Sequence, residues 1–341
     1  MKILILGGTG LLGPFVVRQL SGMGHEVTIF HTGAHEPDLP PEVKHIHSPL
    51  ARLPIAEVPN DLKSLAPDVL IMMHPNGADD TALVMREFRG IAGRVIAISS
   101  ADVYRAFSRV NGLEPGPPDP VPLTEDSPLR DKLYPYRTDT LRAAGDPRKD
   151  FDIYDKILVE RAVLSDPALP GTALRLPMIY GPGDRQNRLY GYIKPMDDAR
   201  PAILLDEGLS QWRAPRGYVE NVAWAITLAA TNPRAAGRIY NVAEQTSYSE
   251  SEWVARIFQA TGWQGKIAIV PQGRMNMPLS TDQHLTIDST RIRHELRYTE
   301  IVPPEEGIRR AIAWERANPP DPAKSPPPDY EEEDRILAEL T

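Results

Sequence analysis

Residues 3–13 read ILILGGTGLLG, so four glycines follow a short apolar run. The stretch from Lys2 to Leu6 has the length and composition of a strand that is buried on both faces. The stretch from Leu12 to Met23 repeats its apolar residues with helical spacing. The turn between this strand and this helix carries glycines at the spacing G-x-x-G-x-x-G, namely Gly7, Gly10 and Gly13.

Glycines at this spacing have three separate uses in a strand–turn–helix unit. The first allows a tight turn, the second lets a pyrophosphate approach the main chain, and the third lets the helix pack closely on the strand. The helix N-terminus adds unpaired N–H groups and a partial positive charge. The turn therefore predicts a dinucleotide site whose cofactor-binding residues are Gly7, Thr9, Gly10, Leu11, Leu12 and Gly13.

Strands and helices alternate along the rest of the chain. The apolar pattern predicts further strands at 26–30, 43–46, 69–73, 94–99, 172–176, 238–242 and 267–270. It predicts further helices at 81–88, 153–164, 218–231, 250–261 and 304–317. We therefore expect an α/β fold: a Rossmann-type, doubly wound parallel sheet with a smaller mixed C-terminal substrate-binding region.

This pattern also suggests how the chain is divided. Residues 1–175 are assigned mainly to a dinucleotide-binding domain, and residues 176–317 to a substrate-binding region interleaved with the last sheet strands. Residues 318–341 form a proline-rich spacer and an acidic tail. The tail could be a terminal helix that docks on the body, or a solvated segment.

The composition excludes several classes of protein. Of the 341 residues, 41% are hydrophobic and 25% are charged, which is typical of a globular chain. No apolar run approaches the roughly 18 residues that cross a membrane, so no membrane partner is expected. Cysteine is absent, which excludes disulfides and thiolate metal sites and favours a cytoplasmic location. The net charge of −8 disfavours nucleic-acid binding.

Three further segments resemble one enzyme family. Residues 99–104 (SSADVY) are similar to its S-S-x-x-V-Y segment, and residues 175–183 (RLPMIYGPG) to its R-x-x-x-V-Y-G-P-G segment. Residues 216–223 (RGYVENVA) resemble the segment that opens a helix near the substrate pocket. With the glycine turn, the chain resembles the extended short-chain dehydrogenases/reductases, in particular the NAD-dependent epimerases and dehydratases, over about residues 1–317.

The resemblance implies the cofactor and the class of substrate. The cofactor would be NAD or NADP, held also by Ser99, Lys156, Pro177 and Ile179. The substrate would be a sugar nucleotide or a related hydroxyl or ketone compound, and a homodimer through two helices of the fold would be expected. A diphosphate could be clamped by bidentate donors, for which the candidates are Arg185, Arg188, Arg213 and Arg216.

The residues expected at the adenosine end do not decide between NAD and NADP. The ribose of NAD is usually held by an acidic residue at the end of the second strand, whereas NADP favours arginine there. Here the strand ends in Phe30-His31-Thr32-Gly33, which leaves His31 and Thr32 as the candidates. The Gly-Asp that the family carries after the third strand is replaced by residues 47–50 (HSPL). The sequence therefore allows either NAD or NADP as the cofactor.

The expected catalytic helix carries its tyrosine at an unusual position. In the family, Tyr and Lys stand as Y-x-x-x-K, so that the ammonium lowers the pKa of the phenol and the tyrosinate exchanges a proton with the substrate. Residues 151–160 read FDIYDKILVE, and Asp152, not Tyr, stands four residues before Lys156. Tyr154 stands two residues before Lys156, which places it about 200° away around a helix.

Three interpretations of this displacement are open. Irregular geometry near Asp152 could let Tyr154 reach the site, Asp152 could act as the base if burial raises its pKa, or the site could lack redox chemistry. An ordinary i,i+4 ion pair between Asp152 and Lys156 is favoured over a catalytic carboxylate. The resemblance implies that Lys156 binds the ribose and that Ser100 orients the substrate.

Other polar residues near the expected site are secondary candidates. Tyr134 and Tyr136 could supply a phenol from outside the helix. Asp102 is a substrate-side candidate, but Ala101 stands where the sugar-nucleotide dehydratases carry an acid. Without that pair, elimination of water is hard to assemble, so a loop or capping role is favoured for Asp102.

Two further predictions concern metals and function. His45 and His47 form a close pair without the helical or carboxylate spacing of a metal site, so no metal is predicted. The sequence favours an NAD(P)-binding oxidoreductase of the epimerase/dehydratase type. The alternative is a catalytically altered member that acts as a binding or regulatory protein, with RNA as one candidate partner.

Overall fold

The computed structural model describes residues 1–48, 57–143, 145–275, 277, 279–323, 328 and 330–340. The strands in chain order are β1 (Lys2–Leu6), β2 (Glu26–His31), β3 (Lys44–His47), β4 (Val69–Met72), β5 (Arg94–Ser100), β6 (Gly171–Leu176), β7 (Met178–Tyr180), β8 (Ala202–Asp206), β9 (Arg216–Tyr218), β10 (Arg238–Asn241) and β11 (Lys266–Val270). The helices are α1 (Gly13–Gly22), α2 (Asn60–Ser64), α3 (Ala78–Phe88), α4 (Arg105–Val110), α5 (Lys156–Val163), α6 (Tyr190–Asp197), α7 (Glu207–Gln211), α8 (Val219–Thr231), α9 (Glu250–Thr261), α10 (Thr290–Leu296), α11 (Pro304–Ala317) and α12 (Tyr330–Leu340).

Seven of these strands form one parallel sheet in the order β10-β6-β5-β4-β1-β2-β3. The strand order reverses between β1 and β4, and in open α/β sheets the ligand crevice lies at the carboxyl ends of the strands beside such a reversal. The predicted Rossmann-type sheet is therefore confirmed. The glycine turn, which follows β1, lies at that crevice.

Both faces of the sheet are covered, because successive residues of each buried strand point in opposite directions. In β1, Ile3 and Ile5 pack into one apolar cluster with α1 and α8, while Leu4 and Leu6 pack into a second cluster with α3 and α5. Each such side chain contributes about 1.5–3 kcal/mol when it is fully buried. The continuous apolar runs recognised in the sequence are thus strands with a helix layer on each side.

The C-terminal part adds two small parallel sheets, β8 with β11 and β7 with β9. The acidic tail forms α12, whose Ile336 packs with Leu204 of β8 and Val270 of β11. The guanidinium of Arg200 lies 4.4 Å from the ring centroid of Tyr330. Of the two possibilities left open for the tail, the docked helix is the one observed.

Part of the proline-rich spacer, residues 324–327 and 329, lies outside the described residues. Among the residues that the structure does describe, none of the helices has the length and apolar character needed to span a bilayer.

Candidate active site and dinucleotide-binding turn

The glycine turn has the backbone conformation that its sequence predicts. Gly7 and Gly8 adopt φ angles of +99° and +96°, which side chains other than glycine rarely adopt. The N–H of Gly7 donates to the carbonyl oxygen of Phe30 at 2.8 Å, which ties the turn to β2. A Cβ atom at Gly13 would lie 2.2 Å from the carbonyl carbon of Gly8. The third glycine therefore allows α1 to begin directly against the turn.

The middle glycine is exposed and has room for a small side chain. A Cβ at Gly10 would meet only the Nε2 atom of His74, at 3.5 Å. On the other side, a Cβ at Gly183 would lie 3.4 Å from the side chain of Leu11. Leu12, the residue before α1, provides no side-chain cap, and the N–H groups of Gly13 and Phe15 donate to the turn carbonyls of Gly10 and Leu12 at 3.2 Å. His74 was missed in the sequence; its place just after β4, at the carboxyl edge of the sheet, could have indicated it.

Asp102 is the centre of a cluster of hydroxyl groups. The phenol oxygen of Tyr154 donates to its Oδ2 atom at 2.8 Å, and that of Tyr136 donates to the same atom at 3.1 Å. Ser100 accepts the main-chain N–H of Asp102 through its Oγ atom at 3.1 Å. Asp102 is 4% exposed, and its Oδ1 atom is buried without a partner among the described residues. The structure thus gives Asp102 a larger part in the site than a loop or capping role.

Burial and charge hold Tyr154 as a protonated phenol. Burial raises the pKa of Tyr154 well above its ordinary value, and the negative charge of Asp102 raises it further. Burial also raises the pKa of the Asp102 carboxyl, although the hydrogen bond from Tyr154 opposes this. The pair therefore holds a proton beside Ser100.

Lys156 reaches the same site from the first residue of α5. Asp155 is the N-cap of this helix and accepts the N–H of Ile157 at 2.9 Å, so Tyr154 lies before the helix and not on it. The ammonium of Lys156 lies 5.2 Å from the ring centroid of Tyr154 and donates to the carbonyl oxygens of Pro75 at 2.6 Å and Ile98 at 3.0 Å. Burial lowers the pKa of Lys156 to about 8.

The structure has the irregular geometry that the first of the three interpretations of the displaced tyrosine requires. The predicted helix over 153–164 begins three residues late: a short 3-10 turn ends at Asp152, and α5 begins only at Lys156. The 200° separation holds only within a continuous helix, so it does not apply here. Tyr154 and Lys156 lie side by side.

Asp152 does not pair with Lys156 as the sequence led us to expect. Its carboxylate accepts from the guanidinium of Arg142 at 2.5 Å and from the ammonium of Lys149 at 3.3 Å. The main-chain N–H of Arg142 adds a bond of 2.8 Å. Because Asp152 lies in the 3-10 turn, it is not one helical turn from Lys156. Its carboxylate is committed to fixing the loop before Tyr154.

A buried ion pair positions both the helix cap and the neighbouring loop. Arg130 donates to Asp155 at 2.9 Å, and the side chains of both residues are fully buried. The main-chain N–H of Tyr134 donates to the other oxygen of Asp155 at 2.6 Å. This places Tyr136 against Asp102, whereas the ring of Tyr134 stacks on Arg137. The sequence did not identify Arg130 or Asp155.

The other residues expected to contact the cofactor differ in whether their polar groups are free to bind it. Ser99 donates its hydroxyl to Glu160 at 2.6 Å, and Glu160 also accepts two bonds from Arg175, at 2.9 and 2.8 Å. The Ser99 hydroxyl is therefore committed to the protein core. Pro177 and Ile179 follow β6 at the carboxyl edge of the sheet, where the crevice lies.

Three of the four candidate arginines are already paired with carboxylates, and the fourth, Arg185, is exposed. The pairs are Arg188 with Asp184 (2.7 Å), Arg213 with Glu252 (3.1 Å) and Arg216 with Glu250. A cavity of about 290 Å³ adjoins two of them and is lined by Tyr180, Arg188, Tyr192, Trp212, Arg216 and Trp253. The Nη1 atom of Arg216 is buried here without a partner among the described residues.

His31 and Thr32, the candidates for the adenosine end of the cofactor, lie beside a cluster of side chains that the sequence pattern did not predict. Thr32 accepts the N–H of Ala34 at 3.4 Å, and burial lowers the pKa of His31. One donor atom from each of four side chains lies within 4.8 Å of the others, and these side chains are His31, Glu36, His45 and His47. The sequence predicted no metal site because these residues share no helical spacing. The two residues after Ser48 in the HSPL segment lie outside the described residues.

Comparison with known proteins identifies the family. The model of the NAD dependent epimerase/dehydratase family matches residues 3–243. The chain belongs to this family. Its members are NAD(P)-dependent enzymes.

Similar proteins of known activity include reductases and dehydratases. The 2′-dehydrokanamycin reductase of Streptomyces kanamyceticus is 26% identical, over 77% of this chain and 67% of that protein. The 2-alkyl-3-oxoalkanoate reductase of Stenotrophomonas maltophilia is 28% identical, over 77% of this chain and 76% of that protein. The dTDP-glucose 4,6-dehydratase of Streptomyces griseus is 28% identical over 56% of this chain, which spans about half (52%) of that relative.

Solved structures of sugar-nucleotide enzymes share the fold. The UDP-glucuronic acid 4-epimerase of Bacillus cereus, in complex with UDP-glucuronic acid and NAD, has a TM-score of 0.65 at 16% identity. The alignment covers 93% of this chain and 100% of that one. The dTDP-glucose 4,6-dehydratase of Bacillus anthracis, in complex with NAD, has a TM-score of 0.64 at 16% identity and covers 93% and 97%.

Proposed function

We propose that this protein is an NAD(P)-dependent oxidoreductase that interconverts a ketone and a secondary hydroxyl group on a polar substrate. The observation that carries the proposal is the junction of Tyr154, Ser100 and Lys156 around Asp102. A phenol, a hydroxyl and an ammonium at one crevice are the groups that proton transfer to or from a substrate oxygen requires.

The residues of the turn fit a dinucleotide. The exposed position of Gly10 and the start of α1 directly after the turn favour a pyrophosphate at this position. When bound, the nicotinamide supplies or accepts the hydride. The buried ammonium of Lys156 is suited to hold the nicotinamide ribose, as the family resemblance implies.

Tyr154 is the proton donor of this proposal. In ketone reduction, its phenol gives a proton to the substrate oxygen while Ser100 donates a hydrogen bond to the same oxygen. The positive charge of Lys156 stabilises the tyrosinate that forms. Asp102 accepts the phenol hydrogen bond at 2.8 Å and so orients Tyr154, and water returns the proton to the tyrosinate after the product has left. Asp152 has no place in this scheme, because Arg142 and Lys149 hold it.

The charges of the site favour a substrate without a diphosphate. The pairing of Arg188, Arg213 and Arg216 with carboxylates reduces their attraction for phosphate. The unpartnered oxygen of Asp102 and the unpartnered nitrogen of Arg216 can instead bind hydroxyl or carbonyl groups. A neutral, hydroxyl-bearing ketone meets these conditions. Dehydration is disfavoured, because Ala101 leaves Asp102 without a second acid.

Ligand titration followed by an assay tests the proposal. Thermal shift with NAD, NADP and their reduced forms reports cofactor binding by mass action. Consumption of NAD(P)H is then measured with keto sugars that carry no nucleotide and with 4-keto sugar nucleotides. We expect stabilisation by a dinucleotide and turnover with the first group. Failure of every dinucleotide to stabilise the chain would overturn the proposal, and a salt-dependent shift with RNA would support the binding-protein alternative.

Two expectations from the sequence belong to this proposal. A homodimer through two helices is implied by the family resemblance and is tested by light scattering on the purified chain. A cytoplasmic location follows from the absence of cysteine and is tested by cell fractionation.

A further inference from the structure

Three histidines and one glutamate converge at the outer edge of the main sheet. His31 is the last residue of β2, and His45 and His47 lie on β3. Residues two apart in a strand point to the same face, so His45 and His47 project together. In the parallel register, His31 pairs with His47, which puts its side chain on that face as well. Glu36 reaches them from the loop that joins the two strands.

Four of the separations between donor atoms are close to those around a tetrahedral metal ion. The Nε2 atom of His31 lies 3.1 Å from Nδ1 of His45 and 3.8 Å from Oε1 of Glu36. Oε2 of Glu36 lies 3.4 Å from Nδ1 of His45, and Oε1 lies 2.9 Å from Nε2 of His47. Ligands bound tetrahedrally to zinc at ordinary bond lengths are about 3.3 Å apart. The four separations bracket that value, and one donor atom from each of the four residues lies within 4.8 Å of the others, so the exposed side chains of Glu36 and His47 need to move only slightly to close around an ion.

Access and charge also favour a cation here. The side chain of His31 is 2% exposed, whereas those of Glu36 and His47 are 48% and 58% exposed, so the cluster opens from a buried end to solvent. Three neutral imidazoles and one carboxylate give the donor set a charge of −1. The carboxylate occupies the position that a phosphate would need, so the cluster disfavours an anion.

Ligation requires one local change. The pair His31–His45 at 3.1 Å shares a proton, which a metal ion would replace. Binding through Nε2 puts the remaining proton of His31 on Nδ1, where the N–H of Gly33 now approaches at 3.3 Å. Gly33 is exposed, so its amide can turn to water.

We propose that His31, Glu36, His45 and His47 bind one divalent transition-metal ion, with Zn²⁺ as the preferred ion, at the carboxyl ends of β2 and β3. Three imidazoles with one carboxylate form a donor set that suits zinc. All four positions of a tetrahedron are filled by the protein, which is typical of a structural site. The ion would fix the 32–43 loop against the sheet edge. This inference does not depend on the proposed enzymatic function.

The test uses the untagged full chain and Zn²⁺ alone. Competition with a chromogenic chelator gives the stoichiometry and affinity, and Co²⁺ absorption reports the coordination geometry. We expect one equivalent per chain and the intense visible bands of tetrahedral cobalt. His45→Ala and His47→Ala should each weaken binding at least about tenfold, since the loss of even an outer-shell partner costs about that much.

His35→Ala is the matched control, because His35 is exposed in the same loop and lies outside the cluster. It should bind Zn²⁺ like the wild type. Glu36→Gln, which keeps the size of the side chain, should weaken binding while circular dichroism stays unchanged. Equal affinity of the wild type and His45→Ala, or an octahedral cobalt spectrum, would overturn the proposal. So would the absence of a stoichiometric site.

Discussion

The phenol ring of Tyr154 lies 5.2 Å from the ammonium of Lys156, although the two residues are only two positions apart in the chain. This is possible because Asp155, between them, is the cap at which α5 begins. Tyr154 therefore lies in the loop before the helix, and Lys156 lies at the first helical position. The proximity of Tyr and Lys, which the family resemblance implies within one helix, is here formed across a helix start.

Replacing Tyr154, the proposed proton donor, tests this arrangement. Tyr154→Phe should lower kcat by about 10²–10⁴-fold, the range that general acid–base groups contribute, with dinucleotide affinity almost unchanged. Tyr136→Phe is the matched control, since Tyr136 also donates to Asp102 but is placed outside the proposed proton path. Steady-state kinetics and thermal shift measure the two effects. Equal loss in both variants would contradict the assignment of Tyr154.

The pKa of Lys156 predicts how cofactor affinity depends on pH. Burial lowers this pKa from its ordinary value to about 8, so the side chain is an ammonium below about pH 8 and a neutral amine above it. If the ammonium holds the ribose, dinucleotide affinity should fall by up to about tenfold per pH unit above pH 8. Calorimetric titration between pH 6.5 and 9.5 measures this.

Substitution of Lys156 tests whether its titration, and not that of another group, causes the loss of dinucleotide affinity above pH 8. Lys156→Met should bind dinucleotide weakly at every pH, with no decline specific to the region above pH 8. A thermal melt at each pH checks that the variant is folded, since two buried carbonyl groups lose their donor. The same decline in the variant and the wild type would show that another group titrates.

The sheet could be predicted from the sequence because its central strands, such as β1 and β4, are short and continuously apolar, and because the glycine turn has a fixed place between β1 and α1. The start of α5 could not be predicted from the Y-x-x-x-K pattern, which assumes an unbroken helix. Asp155 directly before an apolar helical run is itself a capping signal, and it could have placed the helix start at Lys156.

The remaining parts of the site depend on contacts between distant residues. Arg130 meets Asp155 across 25 positions, and Tyr136 meets Asp102 across 34. Local sequence patterns, which extend over a few residues, cannot predict contacts between residues so far apart in the chain. The group of His31, His45 and His47 depends on the register of β2 with β3, which sequence periodicity alone does not fix.

The position of the Glu36 carboxylate predicts that the protein prefers NAD to NADP. Its carboxylate lies within 3.8 Å of His31, at the end of β2 where the adenosine ribose is expected, and it would repel a 2′-phosphate. In chelator-treated buffer the protein should therefore bind NAD more tightly than NADP. Glu36→Gln should narrow that difference, with His35→Ala as a control that leaves it unchanged. An unaltered affinity ratio in Glu36→Gln would place the ribose elsewhere.

Two glycines of the turn should respond to alanine in different ways. At Gly13 a Cβ would lie 2.2 Å from the carbonyl carbon of Gly8, which is main chain and cannot move aside alone. Gly13→Ala should therefore lower the free energy of unfolding by more than about 2 kcal/mol. At Gly10 the nearest atom is Nε2 of His74 at 3.5 Å, an ordinary contact, so Gly10→Ala should change that free energy by no more than about 0.5 kcal/mol.

Dinucleotide affinity is the second quantity in which alanine at Gly10 should have an effect. The methyl group of Gly10→Ala occupies the space through which a pyrophosphate approaches the main chain. Dinucleotide affinity should therefore fall at least about tenfold, equivalent to about 1.4 kcal/mol, in a protein whose unfolding curve matches the wild type. Urea denaturation and calorimetric titration on the two variants measure stability and affinity separately. If Gly10→Ala bound NAD and NADP as the wild type does, the phosphates would not lie against this turn.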